Sequence, residues 1–322
     1  MKWFKKRRLP EIGLVLDGGG ARGPYQIGVY LALKKFGLAE HVIGTSGASV
    51  GAFMEVLFLY DEPEKIISFW KKIDNSIIMQ AKQHKVSAIT SALMNKSGFF
   101  SRENLIDLVN STIDLKYLLN NKRPTFISLA KQEKDESGKI DSYSSEYVKI
   151  NSLPSQDILT LLLATSAIPY VFDPVSYKGH IFVDPMKADN EPYTPLMDLD
   201  PDMLFIVPLN SSHYTHFYDR KTFPKTIVDF SSPKMMALPK MNMINFSQEL
   251  TDEYISEGYQ IGKIIITYMK LHGLLKKEDK KEKDLLPKQY ISLESMNIQN
   301  LEFKNMSIED ILEDIKKGDT LE

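Results

Sequence analysis

The chain has 322 residues, 43% hydrophobic and 25% charged, with a net charge of −2. That is ordinary globular composition, long enough for one large α/β domain with additions or for two domains, and it lacks the global basic field that would hold nucleic acid. There is no cysteine, which excludes disulfides, thiolate metal sites and a cysteine nucleophile and suits a reducing compartment.

In chain order, "MKWFKKRRLP" opens with Lys2, Lys5, Lys6, Arg7 and Arg8 around Trp3 and Phe4. This basic tail (1–9) can attract an anionic membrane surface, or it can be a solvated terminus. No signal-like apolar run follows it, and no apolar stretch reaches the ~18 residues of a membrane span, so a cytoplasmic protein is expected, with membrane contact at most peripheral. "EIGLVLD" (11–17) reads as a strand, and "PYQIGVYLALKKFG" (24–37) as a helix with apolar and polar faces, with Gly37 as its C-cap. "HVI" (41–43) starts a second strand and "GAFMEVLFLY" (51–60) a buried helix, an order that implies a parallel sheet. The middle reads as helical to about residue 120, followed by strands at "PTFISLAK" and "EYVKI". A helix from Ser155 as N-cap is expected to run to Pro169. Further strands follow at "HIFVD" (180–184) and "DMLFIVPL" (202–209), then a long helical stretch over 244–271. "KKEDKKEKD" (276–284) reads as a charged linker, and Ser307 with Asp310 as the capping box of a last short helix.

Two stretches carry chemistry. In "DGGGARG", Gly18, Gly20 and Gly23 satisfy the dinucleotide fingerprint G-x-G-x-x-G, but the acid expected to close the second strand is missing, since Glu40 precedes "HVI". No Gly-Lys-Ser/Thr follows, against a P-loop. A third reading is an oxyanion hole, in which the N–H groups of Gly18, Gly19, Gly20, Ala21, Arg22 and Gly23 converge on developing negative charge at a helix N-terminus; alternatively the glycines only permit a tight strand-to-helix turn. Arg22 can then fix the loop or hold an anionic head group. In "HVIGTSGASVGAF" (41–53), Ser49 lies in a complete G-x-S-x-G with Gly47 and Gly51, a nucleophile-elbow pattern. Ser46, with Gly44 before it and Ala48 after, is the alternative nucleophile and leaves a cleaner strand; either serine can instead be a helix N-cap.

None of the six histidines, His41, His84, His180, His213, His216 and His272, sits in a motif that marks a base. The glycine loop followed by "GASVGA" resembles the patatin-like phospholipases, and "SGFFSRENL" (97–105), "LLLATSAIPYVFDPV" (161–175) and "FVDPMKADNEPYTPL" (182–196) extend the resemblance. "PDMLFIVPL" and "EGYQIGK" (257–263) also fit bacterial members. The resemblance implies a three-layer α/β/α fold with a mainly parallel central sheet and helical C-terminal additions. The expected domain organisation is a catalytic domain over 10–212, a helical extension packed on it over 213–275, and a charged linker with a small C-terminal segment over 276–322. For function the resemblance implies a lipid acyl hydrolase with a Ser-Asp dyad, acting on phospholipids or other acyl esters without metal or cofactor. Asp184 takes the dyad aspartate's position, with Asn190 and Pro192 downstream. "DPM" departs from the family's Asp-Gly-Gly, because Pro185 cannot adopt a positive φ. Either another backbone shape presents Asp184 or activity is altered, with Asp189 as fallback base. A catalytically impaired lipid- or nucleotide-binding protein and a dinucleotide-binding enzyme are the competing accounts. The Met-rich "PKMMALPKMNMINF" (233–246) fits a lid or membrane-facing element as well as it fits core packing.

Overall fold

The first apolar run forms β1 (Ile12–Leu16), buried throughout. Leu14 and Leu16 face the larger hydrophobic cluster and Val15 the smaller one, the two-residue period of a strand. The computed structural model describes residues 9–78, 80–81, 100–210, 224–275, 289–298 and 304–318. In it β1 pairs in parallel with β2 (Val42–Ala48) on one side and with β9 (Met203–Val207) on the other. β10 (Thr226–Asp229) and β11 (Tyr290–Ile291) extend the β9 side in parallel, and β5 (Thr125–Lys134) extends the β2 side. The antiparallel members are β6 (Ile140–Lys149) and β8 (His180–Val183) on β5, and β7 (Val175–Tyr177) on β8. The resulting order is β11-β10-β9-β1-β2-β5-β8-β7, with β6 beside β5. Helices lie on both faces, giving the mainly parallel α/β/α architecture expected.

Among the described residues, the helices of eight residues or more are α1 (Pro24–Lys35), α2 (Val50–Phe58), α3 (Pro63–Trp70), α4 (Glu103–Thr112), α5 (Ser155–Thr165), α6 (Gln248–Leu271) and α7 (Ile308–Lys317). α1 ends as its Gly37 implies. Gly37 has φ 66°, its N–H donates to the Lys34 carbonyl at 3.1 Å, and the Leu38 N–H reaches back to Leu33 at 2.8 Å, a Schellman closure. The expected polar face of α1 is absent, because every residue of the helix except Lys34 is buried. α6 and α7 cover what would have been that face. Glycines make the crossing close: a methyl on Gly28 would lie 2.1 Å from the Ile255 carbonyl oxygen, and one on Gly258 2.1 Å from that of Tyr25.

Other boundaries move for local reasons. β2 continues through "GTSGA" to Ala48, because β1 and β5 on either side supply its ladder. α5 has Pro154, not Ser155, as its cap residue, and it stops at Thr165, four residues before Pro169. The middle is not helical throughout: β3 (Gln80–Ala81) and β4 (Phe100–Ser101) form a small antiparallel pair. Ser307 caps α7 as expected, accepting from the Asp310 N–H at 3.1 Å. The basic tail up to Arg8, the charged stretch 276–284, His84, His213 and His216 lie outside the described residues.

Candidate active site

The sheet itself brings Ser49 and Asp184 together. One edge of β5 is taken by β6; the other is shared end to end by β2 and β8. β2 runs parallel to β5 and reaches Ala48 opposite Ser128, while β8 runs antiparallel and reaches Val183 opposite Ala130. The next residue of each strand, Ser49 and Asp184, therefore arrives at the level of Leu129 from opposite directions.

Ser49 has φ 52° and ψ −121°, a conformation that costs an L-residue of order 1–3 kcal/mol and persists only where surrounding structure enforces it. The enforcement is visible. A methyl on Gly47 would lie 2.6 Å from the Ala52 nitrogen, and one on Gly51 2.1 Å from the Leu16 carbonyl oxygen, so the chain doubles back where only glycine fits. The Ser49 N–H donates to Thr165 Oγ1 at 2.8 Å, and α2 starts at the next residue. Ser46 is elsewhere: it is fully buried within β2, and its hydroxyl donates to the Phe126 carbonyl at 3.3 Å. Of the two serines, only Ser49 occupies the tight turn.

Asp184 is buried at 2% exposure. Its Oδ1 accepts from the Met186 N–H at 2.9 Å, while Oδ2 has no aligned donor. Burial pushes its carboxyl up to about 6, partly offset by the neighbouring Ser49 hydroxyl and the Met186 N–H. Pro185 fits this loop: residues 185–187 form a 3-10 turn with Pro185 at its first position and Asp184 as its cap, and no positive φ is required. Another backbone shape therefore presents the aspartate. Asp189 is committed elsewhere, Oδ2 accepting from the Tyr147 hydroxyl at 2.6 Å and Oδ1 from the Glu191 N–H at 3.0 Å.

The glycine loop abuts the serine, the Cβ position of Gly18 lying 3.0 Å from Ser49 Cβ. The Gly18 carbonyl accepts from Asn190 Nδ2 at 3.0 Å and Asn210 Nδ2 at 3.1 Å. In a trans peptide the N–H points opposite to the C=O, so fixing this carbonyl also fixes the direction of the Gly19 N–H. Of the six loop residues, Gly18, Arg22 and Gly23 donate their N–H groups to the carbonyls of Asn190, Gly19 and Gly20. Those of Gly19, Gly20 and Ala21 have no acceptor among the described residues. Leu209 packs against Gly19 and the Met243 carbonyl against Gly20, so neither position has room for a side chain. Arg22 does not face a head group. Its guanidinium is buried and donates to the carbonyls of Leu209 at 2.7 Å, Leu238 at 3.0 Å and Pro239 at 2.8 Å, and burial lowers its pKa.

Ser49 lines an open, almost wholly apolar pocket. Phe53, Trp70, Phe172, Met243 and Phe246 are among its walls. In the Met-rich stretch, Met235 is fully buried in the core, whereas Met243, Ile244 and Phe246 line the pocket. Among the described residues no three His, Asp or Glu side chains are grouped to hold a metal ion, and His41, His180 and His272 do not line the pocket. A strained serine, a buried carboxyl and free N–H donors beside an apolar cavity can together support acyl transfer.

The model of the Patatin family, patatin-like phospholipase, matches residues 14–197, more than half of the chain. The chain belongs to the patatin-like phospholipase family. It is 26% identical over 188 residues to a probable lipid hydrolase of Invertebrate iridescent virus 6, covering 56% of this chain and 61% of the viral protein. It is also 26% identical over 213 residues to a lysophospholipase of Aspergillus oryzae, covering 62% of this chain but 12% of that protein. The chain thus spans under two thirds of each of these two relatives. Among solved structures, VipD from Legionella pneumophila superposes with a TM-score of 0.46 at 13% identity, covering 87% of this chain and 73% of its own. The patatin-like match takes in both Ser49 and Asp184. Two residues that the sequence did not single out stand behind them. Thr165 lies inside the quoted "LLLATSAIPYVFDPV", but nothing local marks its hydroxyl as the acceptor for Ser49; Ser128 lies in an unremarkable strand.

Proposed function

We propose that the chain is a serine acyl-ester hydrolase acting on phospholipids or related lipid esters, with Ser49 as nucleophile and Asp184 as base. The observation that carries this reading is the head-on arrival of a strained serine and a buried carboxyl at one level of β5, beside an apolar pocket. Asp184 takes the proton from Ser49 Oγ as that oxygen bonds to the ester carbonyl carbon. The carbonyl oxygen becomes an oxyanion, which the N–H groups of Gly19, Gly20 and Ala21 are the available donors to meet. Collapse of the intermediate breaks the ester bond, and Asp184 returns the proton to the departing alcohol. Water then attacks the acyl-serine, giving its proton to Asp184 and releasing the fatty acid. Each step uses only groups of this chain and water, so no cofactor is proposed. A free aspartate is a weak base at neutral pH; a carboxyl near 6 is better matched to the task.

The similarity to proteins named lipid hydrolase and lysophospholipase supports a lipid substrate, and the pocket's walls suit an acyl chain. Peripheral contact with a lipid surface belongs to the same reading, because Tyr170, Met186 and Met241 are exposed on the segments that carry the site. Phospholipid and p-nitrophenyl ester hydrolysis by wild type, Ser49→Ala and Ser46→Ala, at matched thermal stability, tests the assignment. Loss of at least ~1000-fold in Ser49→Ala alone is expected; activity surviving in folded Ser49→Ala would overturn it.

A further inference from the structure

The two halves of the proposed dyad are tied to the same residue of the central sheet. The Ser49 N–H precedes α2 and has no acceptor within it; it donates to Thr165 Oγ1 at 2.8 Å. The Thr165 hydroxyl, its proton free for use, donates to the Ser128 carbonyl at 2.7 Å. The Ser128 hydroxyl then donates to the Asp189 carbonyl at 2.9 Å, in the loop that leads away from Asp184. Both hydroxyl residues are fully buried, so no solvent competes for these bonds. Ser128 lies opposite Ala48, the residue before Ser49, and two positions from Ala130, which faces Val183, the residue before Asp184.

We propose that Thr165 and Ser128 form a buried hydroxyl brace that positions Ser49 against Asp184, acting on turnover and not on substrate binding. The inference rests on Ser49 and Asp184 being the reacting pair. A hydroxyl suits this place for a chemical reason. The Ser49 N–H needs an acceptor and the Ser128 carbonyl needs a donor, and one hydroxyl supplies both. Valine keeps the shape of threonine and supplies neither. Serine supplies both and loses only a methyl group.

The test compares wild type with Thr165→Val, Thr165→Ser, Thr165→Ala, Ser128→Ala and Ser49→Ala. It reads kcat and KM on a p-nitrophenyl acyl ester, the rate of Ser49 labelling by a fluorophosphonate, and the thermal midpoint. Because misplacing a reacting atom by about 1 Å can cost ~100-fold, Thr165→Val is expected to lose roughly 10–100-fold in kcat and labelling rate, with KM within about twofold. Thr165→Ser is expected within about threefold of wild type, since it keeps the donor and acceptor. The brace is overturned by a folded Thr165→Val with wild-type kcat, or by a Thr165→Ser as impaired as the valine variant, which would make the methyl packing the cause. Should Thr165→Val not fold, Thr165→Ala, which removes the hydroxyl without adding a methyl, decides: reduced kcat at unchanged KM supports the brace and unchanged kcat overturns it. Ser128→Ala, which keeps the carbonyl that Thr165 bonds, reads the link to the Asp189 carbonyl alone, unchanged kcat there removing Ser128 from the brace. Ser49→Ala separates the two readings. Activity persisting there removes the dyad assignment itself; activity abolished there beside a fully active Thr165→Val removes only the brace.

Discussion

Asp184 carries opposite consequences for stability and for activity. Burial raises its carboxyl from 3.8 to about 6, so between these values the unfolded chain ionises while the folded protein retains its proton. The stability this group allows is full below about pH 4, falls as pH rises, and is flat again above about pH 6, at a cost of roughly 3 kcal/mol. Under the proposed mechanism activity runs the other way, because only the ionised carboxylate can accept the serine proton: kcat is expected to rise through about pH 6 to a plateau. Asp184→Asn should therefore be inactive and yet more stable at pH 8, by up to roughly 3 kcal/mol, with the gain vanishing near pH 4. Denaturant melts across pH with parallel ester assays check both; an asparagine variant less stable than wild type at pH 8 would contradict the buried-carboxylate account. At this scale the sequence was informative where chemistry is local. Glycines flanking Ser49 and the aspartate at a strand end are readable as types at a spacing. The role of Arg22 was not, because a guanidinium can serve carbonyls or a head group equally well, and only its burial against Leu209, Leu238 and Pro239 decides it.

Among the elements, the α1–α6 crossing places the strictest demand on side-chain size. Gly258 and Gly28 bring the two helices into backbone contact, and Gly262 meets the side chain of Ala32. Gly258→Ala would set a methyl 2.1 Å from the Tyr25 carbonyl oxygen, a backbone atom two residues beyond the glycine loop that cannot yield without moving the loop. The expected cost is roughly 3 kcal/mol or more, seen as a lowered denaturation midpoint or as insoluble protein. A stability within about 0.5 kcal/mol of wild type would mean that the helices are not in contact as described. Element type was legible wherever periodicity and caps agreed, as at β1 and at the Gly37 end of α1. It misled where later chain covers earlier chain: the apparent polar face of α1 is buried because α6 and α7 arrive more than 200 residues downstream. β10 and β11, four and two residues long, are too short for alternation to declare them; pairing with β9 and with each other makes them strands.

For the molecule as a whole, the sheet order sets the candidate site. That β2 and β8 share one edge of β5 could not be read from residues more than 130 apart in sequence, and this pairing is what sets the two motifs of the candidate site side by side. Some large apolar side chains also stay on the outside. Tyr117, Tyr170, Met186, Met241 and Leu271 are the large hydrophobic residues most exposed among those described. Three of them flank the site along the chain: Met186 follows Asp184, Tyr170 lies between the pocket residues Ile168 and Val171, and Met241 precedes Met243. Tyr170 is held at φ 70°, and no helix among the described residues is long and apolar enough to cross a membrane. A protein that takes its substrate from a lipid surface gains from apolar groups set around the entrance, each worth roughly 1.5–3 kcal/mol when buried. Replacing Tyr170 and Met241 together by Asp removes that gain and adds charges that a lipid surface disfavours. The double variant is expected to hydrolyse phospholipid vesicles at least ~10-fold more slowly, since every ~1.4 kcal/mol of lost binding is tenfold. Turnover of a soluble short-chain ester, which needs no surface, should stay within about twofold. Vesicle flotation beside the two assays separates the outcomes: unaltered vesicle binding and hydrolysis would show that the lipid is reached by another face, and equal loss on both substrates would place the damage in the pocket itself.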